Sequence, residues 1–416
     1  MTQKKKLLVV SGAGASLDFG MPSVNKIHED FLGWASMHYP LARHPKRSLY
    51  SELYRKACLY MKKHVPPPLQ TMPTFEDILY LVYALASTWP AGAYTSGFGS
   101  VVQRRKLPDV LQYRAVKSVD ENVLSTFAAQ LVDTLLNDIR TRCIKEEASN
   151  KLFIDFQGFF DALQSQFEVS VATTNYDNLA VRALPAHETG FDLQGDGSFS
   201  PRRIFKRPTW ECILHLHGSV HFAMHPGMHG LHTVYWQKKL SAGINQTAFG
   251  RNGQYTKEGI VFPTSTIIAG YGKTGQIQLQ PFRTMYSELD RLVAEADAVL
   301  FLGYGFGDAH VNNAFAGFHD HRGRSVVVVD YATDTVSRLG SGLPESSRAI
   351  EEAAQIFSID ARSMKWAGDP EITTGTALRN SREFERSAGR NGKLSIWYSG
   401  MHAACTNPDR ILGELI

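Results

Sequence analysis

The sequence predicts an α/β protein: a doubly wound parallel sheet with a helical module inserted between its first two strands. Three observations carry that reading. Leu7-Leu8-Val9-Val10, Val169-Ser170-Val171-Ala172, Ile213-Leu214 and Ala298 to Leu302 are short, largely apolar runs that read as buried strands. Each is followed at once by a glycine-rich or polar motif, and the ligand crevice of an open parallel sheet lies beyond the carboxyl ends of its strands. From Val169 onward strands alternate with helices, the order that builds a parallel sheet.

The elements follow in order. After the first strand and its glycine turn, residues from about Val24 to Trp34 read as a helix. Past Pro66-Pro67-Pro68, Thr74 reads as an N-cap with Asp77 at the third position, opening a helix through Thr88. Its apolar residues Phe75, Ile78, Leu79, Val82 and Leu85 share one face at helical spacing. Residues 90–108, rich in Gly, Ser and Tyr, read as a loop. A long helix from about Glu121 to Lys145 would bury Leu124, Phe127, Leu131, Leu135 and Ile139. Together these helices form an insert over about residues 35–150. A helix from about Pro281 to Ala296 leads into the Ala298 strand, and Ser325-Val326-Val327-Val328-Val329-Asp330 is a further strand. Ile356 to Ile359 and Leu394 to Tyr398 read as two more. The division expected is a main domain over residues 1–335 and a C-terminal region, 336–416, available for subunit or partner contacts.

Composition sets bounds. The 416 residues are 43% hydrophobic and 20% charged, an ordinary globular balance. A net charge of +4 is small for this length and does not by itself argue for nucleic acid. Cys58, Cys143, Cys212 and Cys405 form no CxxC pair, which argues against both a disulfide framework and a thiolate zinc site and fits a reducing compartment. Three N-terminal lysines precede only four apolar residues, too few for a signal peptide, and no stretch approaches a membrane span. A cytoplasmic location is expected.

The motifs carry chemistry. Gly12, Ala13, Gly14 and Ser16 stand where a strand meets a helix, where bare backbone and a helix dipole can hold a pyrophosphate; they also suit a tight structural turn. Thr174, Asn175 and Asp177 follow the second strand. An amide can hold a ribose hydroxyl or a water, while an Asx turn or helix cap is the plainer role, one that fits Asp177 better than Asn175. His217, before Gly218, can act as a base near neutrality. Gly303 and Gly305, in Gly303-Tyr304-Gly305-Phe306-Gly307-Asp308, can pack against an adenosine. Asp330 at a strand end suits a ribose diol or simply solvent. His217, His221, His225 and His229 recur every four residues, flanked by His215 and His232, but Pro226, Gly227 and Gly230 break the helix that would align them. No metal site is expected.

As a set, over roughly residues 5 to 335, these motifs resemble the sirtuin-like (silent-information-regulator) NAD-binding family with its Rossmann-like sheet. Gly12-Ala13-Gly14-Ala15-Ser16 matches its glycine loop and Gly20 and Pro22 part of its Gly-x-Pro. Asn175-Tyr176-Asp177 matches its Asn-x-Asp, His217-Gly218 its catalytic His-Gly, and Gly303 to Phe306 its later turn. The departures are equally specific. Val24 and Asn25 stand near the place of the Phe-Arg pair of the deacetylases, no paired CxxC zinc module follows His217, and Pro263-Thr264-Ser265 interrupts the place of the peptide-binding strand. With the inserted helices and Thr74-Phe75-Glu76-Asp77-Ile78, the chain resembles the bacterial anti-phage members that hydrolyse NAD.

That resemblance implies an NAD glycohydrolase acting in abortive infection, with NAD as substrate, no further cofactor and no structural zinc. Asn175 and His217 would be catalytic, with Asp177 supporting the loop. Gly12, Ala13, Gly14, Ser16, Thr174, Gly303, Gly305 and Asp330 would bind the dinucleotide. It also implies a homo-oligomer and a HerA-type ATPase partner (the Nezha system), with no membrane association. Two alternatives stand beside it: an NAD or ADP-ribose sensor without turnover, and a nuclease subunit, for which the sequence offers no two-metal carboxylate cluster.

Overall fold

The computed structural model describes residues 4–41, 44–66, 72–88, 121–149, 151–225, 233–240, 247–248, 254–256, 259–261, 264–270, 273–316, 324–332, 353–359, 364–369, 374–387 and 393–416. The loop expected at residues 90–108 lies outside them, as do His229 and His232.

Eight strands form one sheet: β1 (Lys5–Ser11), β2 (Phe167–Thr173), β3 (Ile213–His215), β4 (Ala298–Leu302), β5 (Ser325–Val329), β6 (Met364–Trp366), β7 (Phe384–Ser387) and β8 (Lys393–Trp397). Their order is β6-β7-β8-β5-β4-β1-β2-β3. The run from β3 to β8 is parallel, and β7 alone is reversed, pairing antiparallel with both β8 and β6. The chain therefore builds β2 and β3 on one side of β1, then crosses to β4, β5 and β8 on the other. The loops after β1 and β4 stand at that reversal, where an open sheet leaves its crevice.

Both faces of the sheet are covered, which explains the unbroken apolar runs. Leu8 and Val10 of β1 enter one core with Val299 and Phe301, while Leu7 and Val9 enter the other with Leu300 and Leu302. Helix α6 (Phe282–Glu295) packs Phe282, Met285, Leu289 and Leu292 on the first face. Helix α5 (Phe153–Gln166) packs Phe156, Phe159, Phe160 and Leu163 on the second. Residues beyond 335 join this architecture: β8 pairs with β5, and helices α8 (Gly400–Cys405) and α9 (Pro408–Leu415) bury Met401, Ile411 and Leu415 in the second core.

The insert has a core of its own. Helices α1 (Val24–His38), α2 (Leu49–His64), α3 (Phe75–Thr88) and α4 (Glu121–Ser149) enclose Phe31, Tyr50, Ile78, Val82, Phe127 and Leu131. Thr74 N donates to Asp77 Oδ2 at 2.7 Å and Asp77 N to Thr74 Oγ1 at 3.4 Å, a capping box that fixes where α3 begins. Among the described residues no helix is long and apolar enough to cross a membrane.

Two sequence expectations are corrected. The glycine loop does not meet a helix N-terminus: 3-10 turns at Ala13–Ala15 and Leu17–Phe19 follow it, and α1 starts at Val24, where the sequence placed it. Pro22 has no N–H to continue a helix, and Ser23 supplies the cap by accepting Lys26 N at 3.1 Å. The strand expected at Ile356 to Ile359 is not formed: residues 353–356 are helical and 357–358 turn. Their alanines favour helix, and Ala353, Ala354 and Phe357 bury one face at helical spacing.

Candidate active site

The carboxyl ends of β1, β2 and β4, with α1 and α3 of the insert, enclose a cavity of about 300 Å³. That is the lower end of the range for small-molecule sites. Gly12, Ala13, Ser16, Thr174, Asn175, Asp177, His217 and Gly305 line it, so eight of the sequence-selected residues share one space. Gly14, Gly303 and Asp330 do not line it.

Asn175 follows β2, its backbone N donating to Thr173 Oγ1 at 3.0 Å. Its amide Nδ2 donates to Gly12 O at 2.9 Å and Ser16 Oγ at 2.8 Å. A carbonyl oxygen only accepts, so the nitrogen must face Gly12. Both donors are used to hold the glycine loop. Oδ1 makes no hydrogen bond among the described residues. Thr174 N donates to Ser11 O at 2.9 Å and so joins the two strand ends.

Asp177 completes this anchorage. Its Oδ2 accepts from Ser16 Oγ at 2.6 Å and its Oδ1 from Leu179 N at 3.0 Å. Burial pushes its carboxyl up, against the lowering effect of those bonds. Its part is to position Ser16 and the loop.

His217 lies beyond β3. Its carbonyl accepts from Ile268 N at 2.9 Å, and Gly218 turns the chain there at φ +102. A Cβ at 218 would stand 2.3 Å from Thr266 O, so only glycine lets the two loops meet. His217 Nε2 lies 2.8 Å from Asp308 Oδ2. The two atoms face each other at ion-pair distance without the alignment of a hydrogen bond, and among the described residues nothing bonds Nδ1, the nitrogen placed to act as a base.

Asp308, Lys273 and Glu76 also line the cavity, and the sequence reading assigned them no role. Asp308 stands just before helix α7 (Ala309–Ala316), its Oδ1 accepting from His310 N at 2.9 Å and Val311 N at 3.2 Å. Lys273 Nζ lies 2.8 Å from Glu76 Oε2 and 3.7 Å from Asp308 Oδ2. Burial would raise the Asp308 carboxyl, but His217, Lys273 and the helix cap together hold it well below the usual carboxylate range. Burial would lower Lys273, but Glu76 and Asp308 raise it, so it is a fixed cation. Asp308 was legible in part, as the first acidic residue after the glycines that follow β4. Glu76 stood inside the quoted Thr74 to Ile78 segment without a role of its own, and Lys273 stood in no motif.

Because the folded-state affinity of Asp308 for its proton is depressed, its stabilising contribution is present above about pH 4, the unfolded carboxylate value. That contribution is lost as pH falls toward the folded value. Urea unfolding of wild type and Asp308→Asn should therefore differ most above about pH 5 and converge in acid. A constant difference across that range would contradict the assignment.

The remaining candidates sit elsewhere. Gly303, at φ +53, receives the glycine loop: Gly14 N donates to Gly303 O at 2.9 Å, and a Cβ at 303 would lie 2.1 Å from Ala15 N. The two glycines dovetail the β1 and β4 loops. Asp330 N donates to Trp397 O, and its Oδ1 accepts Tyr331 N at 2.8 Å, one strand farther from the crevice. His215 is buried between Phe222 and Trp236, and burial together with the nearby His221 pushes it down to about 3. His221 stacks on Trp236 at 4.4 Å and bonds Gln237 O. Among the described residues no group of three His, Cys, Asp or Glu side chains could hold a metal.

No curated protein matches the chain. Among solved structures, a SIR2 homologue–NAD complex aligns with 11% identity and a TM-score of 0.34, covering 86% of this chain and 90% of that one. Sir2Tm bound to a propionylated peptide aligns with 14% identity and a TM-score of 0.28, covering 85% and 93%. A mutant Sir2 homologue with ADP-ribose aligns with 12% identity and a TM-score of 0.33, covering 86% and 93%. The family model described as "SIR2-like domain" matches residues 169–356, the span that holds Asn175, His217, Lys273 and Asp308.

Proposed function

We propose that the chain is an NAD+ glycohydrolase, cleaving NAD to nicotinamide and ADP-ribose. One observation carries the reading. Asn175 and His217 face a single cavity: the Asn175 amide nitrogen is engaged by Gly12 and Ser16, which leaves Oδ1 as an acceptor, and His217 sets Nε2 against Asp308, which leaves Nδ1 as a base. The glycine loop beside them offers bare backbone to a pyrophosphate. The match of residues 169–356 to a SIR2-like domain supports the NAD-using class.

In the reaction the ribose–nitrogen bond breaks, its electron pair leaving with nicotinamide, which departs neutral. Water forms the new bond to the ribose carbon from a position held by Asn175 Oδ1, and its proton passes to His217 Nδ1. Asp308 faces the resulting imidazolium and offsets its charge. Pre-positioning of water and ribose supplies the rest.

The role that fits such an activity is depletion of NAD in anti-phage defence, by a homo-oligomer controlled by a HerA-type ATPase. Incubating the purified chain with NAD, alone and with the neighbouring gene's product, should release nicotinamide and ADP-ribose by chromatography. NAD bound but unconsumed in both cases would move the reading to a sensor. Metal-dependent DNA cutting without NAD turnover would move it to a nuclease. Light scattering of the chain at micromolar concentration reads the assembly.

A further inference from the structure

Four side chains from four separate segments line up through the cavity wall with alternating charge. Glu76 comes from α3 of the insert, Lys273 from the turn at Lys273–Ile277, Asp308 from the cap of α7, and His217 from the loop after β3. The contacts are 2.8 Å, 3.7 Å and 2.8 Å in that order. We propose that Glu76, Lys273 and Asp308 are positioning residues whose alternating charges set how firmly His217 holds its proton, linking the helical insert to the base.

Coulomb's law fixes the sign at each link, and partial burial keeps the links from being screened. Asp308 favours the imidazolium. Lys273 shares the same carboxylate oxygen and opposes it. Glu76 offsets Lys273 from the far side and so favours the imidazolium again. The other titratable groups nearby do not compete. Tyr176 and Tyr286 are pushed far up, mainly by burial, and stay neutral. Asp177 lines the same cavity but is engaged by Ser16 and Leu179. Glu76 and the glycine loop lie outside the SIR2-like span of residues 169–356, so the insert contributes the outermost member of the chain.

The inference deepens the glycohydrolase reading, and its test is chosen to stand apart from turnover. The His217 ring is titrated by NMR in the full-length protein without substrate, in wild type, Glu76→Gln, Lys273→Met and Asp308→Asn. Asparagine keeps the α7 cap and glutamine keeps the shape of Glu76, so folding is retained. The midpoint should fall by at least about half a pH unit in Glu76→Gln and Asp308→Asn and rise by as much in Lys273→Met. The acid limb of the kcat/KM profile for NAD should move the same way in each variant. Shifts of one common sign, or no shift, would overturn the chain. Alternating shifts in a protein that leaves NAD intact would uphold the chain and remove the glycohydrolase reading.

Discussion

Replacing His217 with alanine should lower kcat/KM for NAD by at least about 10²-fold, the usual contribution of a positioned acid–base group. The variant should keep its fold. His217 anchors its loop by its backbone, through Ile268 N and Gly218, and alanine leaves those bonds in place. Asn175→Ala should lose activity on the same scale but for two reasons. In the proposed reaction it removes the Oδ1 that holds the attacking water, and it strips Gly12 O and Ser16 Oγ of their shared donor. Thermal melting separates them: Asn175→Ala should melt several degrees lower, and His217→Ala close to wild type. Wild-type turnover in both variants, measured as nicotinamide release, would reject the active-site assignment.

The largest effect on stability is expected at Gly303. Alanine there meets a left-handed backbone and the Ala15 amide at 2.1 Å, and the neighbour is backbone that cannot swing away. Strain and overpacking together should cost about 3 kcal/mol or more. Gly305 is the control, two residues on. An alanine Cβ at Gly305 has nothing within 4 Å, yet Gly305 lines the cavity. Gly305→Ala should unfold in urea within about 0.5 kcal/mol of wild type while weakening NAD binding by calorimetry. Equal stabilities of the two variants would show that the loops do not dovetail as described.

Much of this was legible in the sequence because burial on both faces writes a continuous apolar run. β1, β2, β4 and β5 could be read for that reason, and the motifs that follow them fell into place. Thr74 and Asp77 announced α3 because a capping box is a local signal. Ile356 to Ile359 were misread because a four-residue, largely apolar run has no period long enough to distinguish strand from helix. At the site, Asn175 and His217 were found because each ends a recognisable strand. Lys273 and Glu76 were not, since an isolated charge acquires meaning only from what folds against it. Gly14 and Gly303 were read as facing a ligand, whereas they face each other. A glycine that admits a phosphate and one that admits another loop look the same in one sequence.

The dovetail also has a consequence for synthesis. β1 leaves the ribosome long before its register partners, which lie in Phe167–Thr173 and Ala298–Leu302. Parallel pairing over such separations is intrinsically slow, and it must wait for its partners to be translated. The glycine loop cannot be seated until Gly303 has emerged, nor His217 given its carboxylate until Asp308 has. A nascent or truncated chain ending before that point carries Asn175 and His217 but no finished crevice, so the cavity they line is completed only when translation is well advanced.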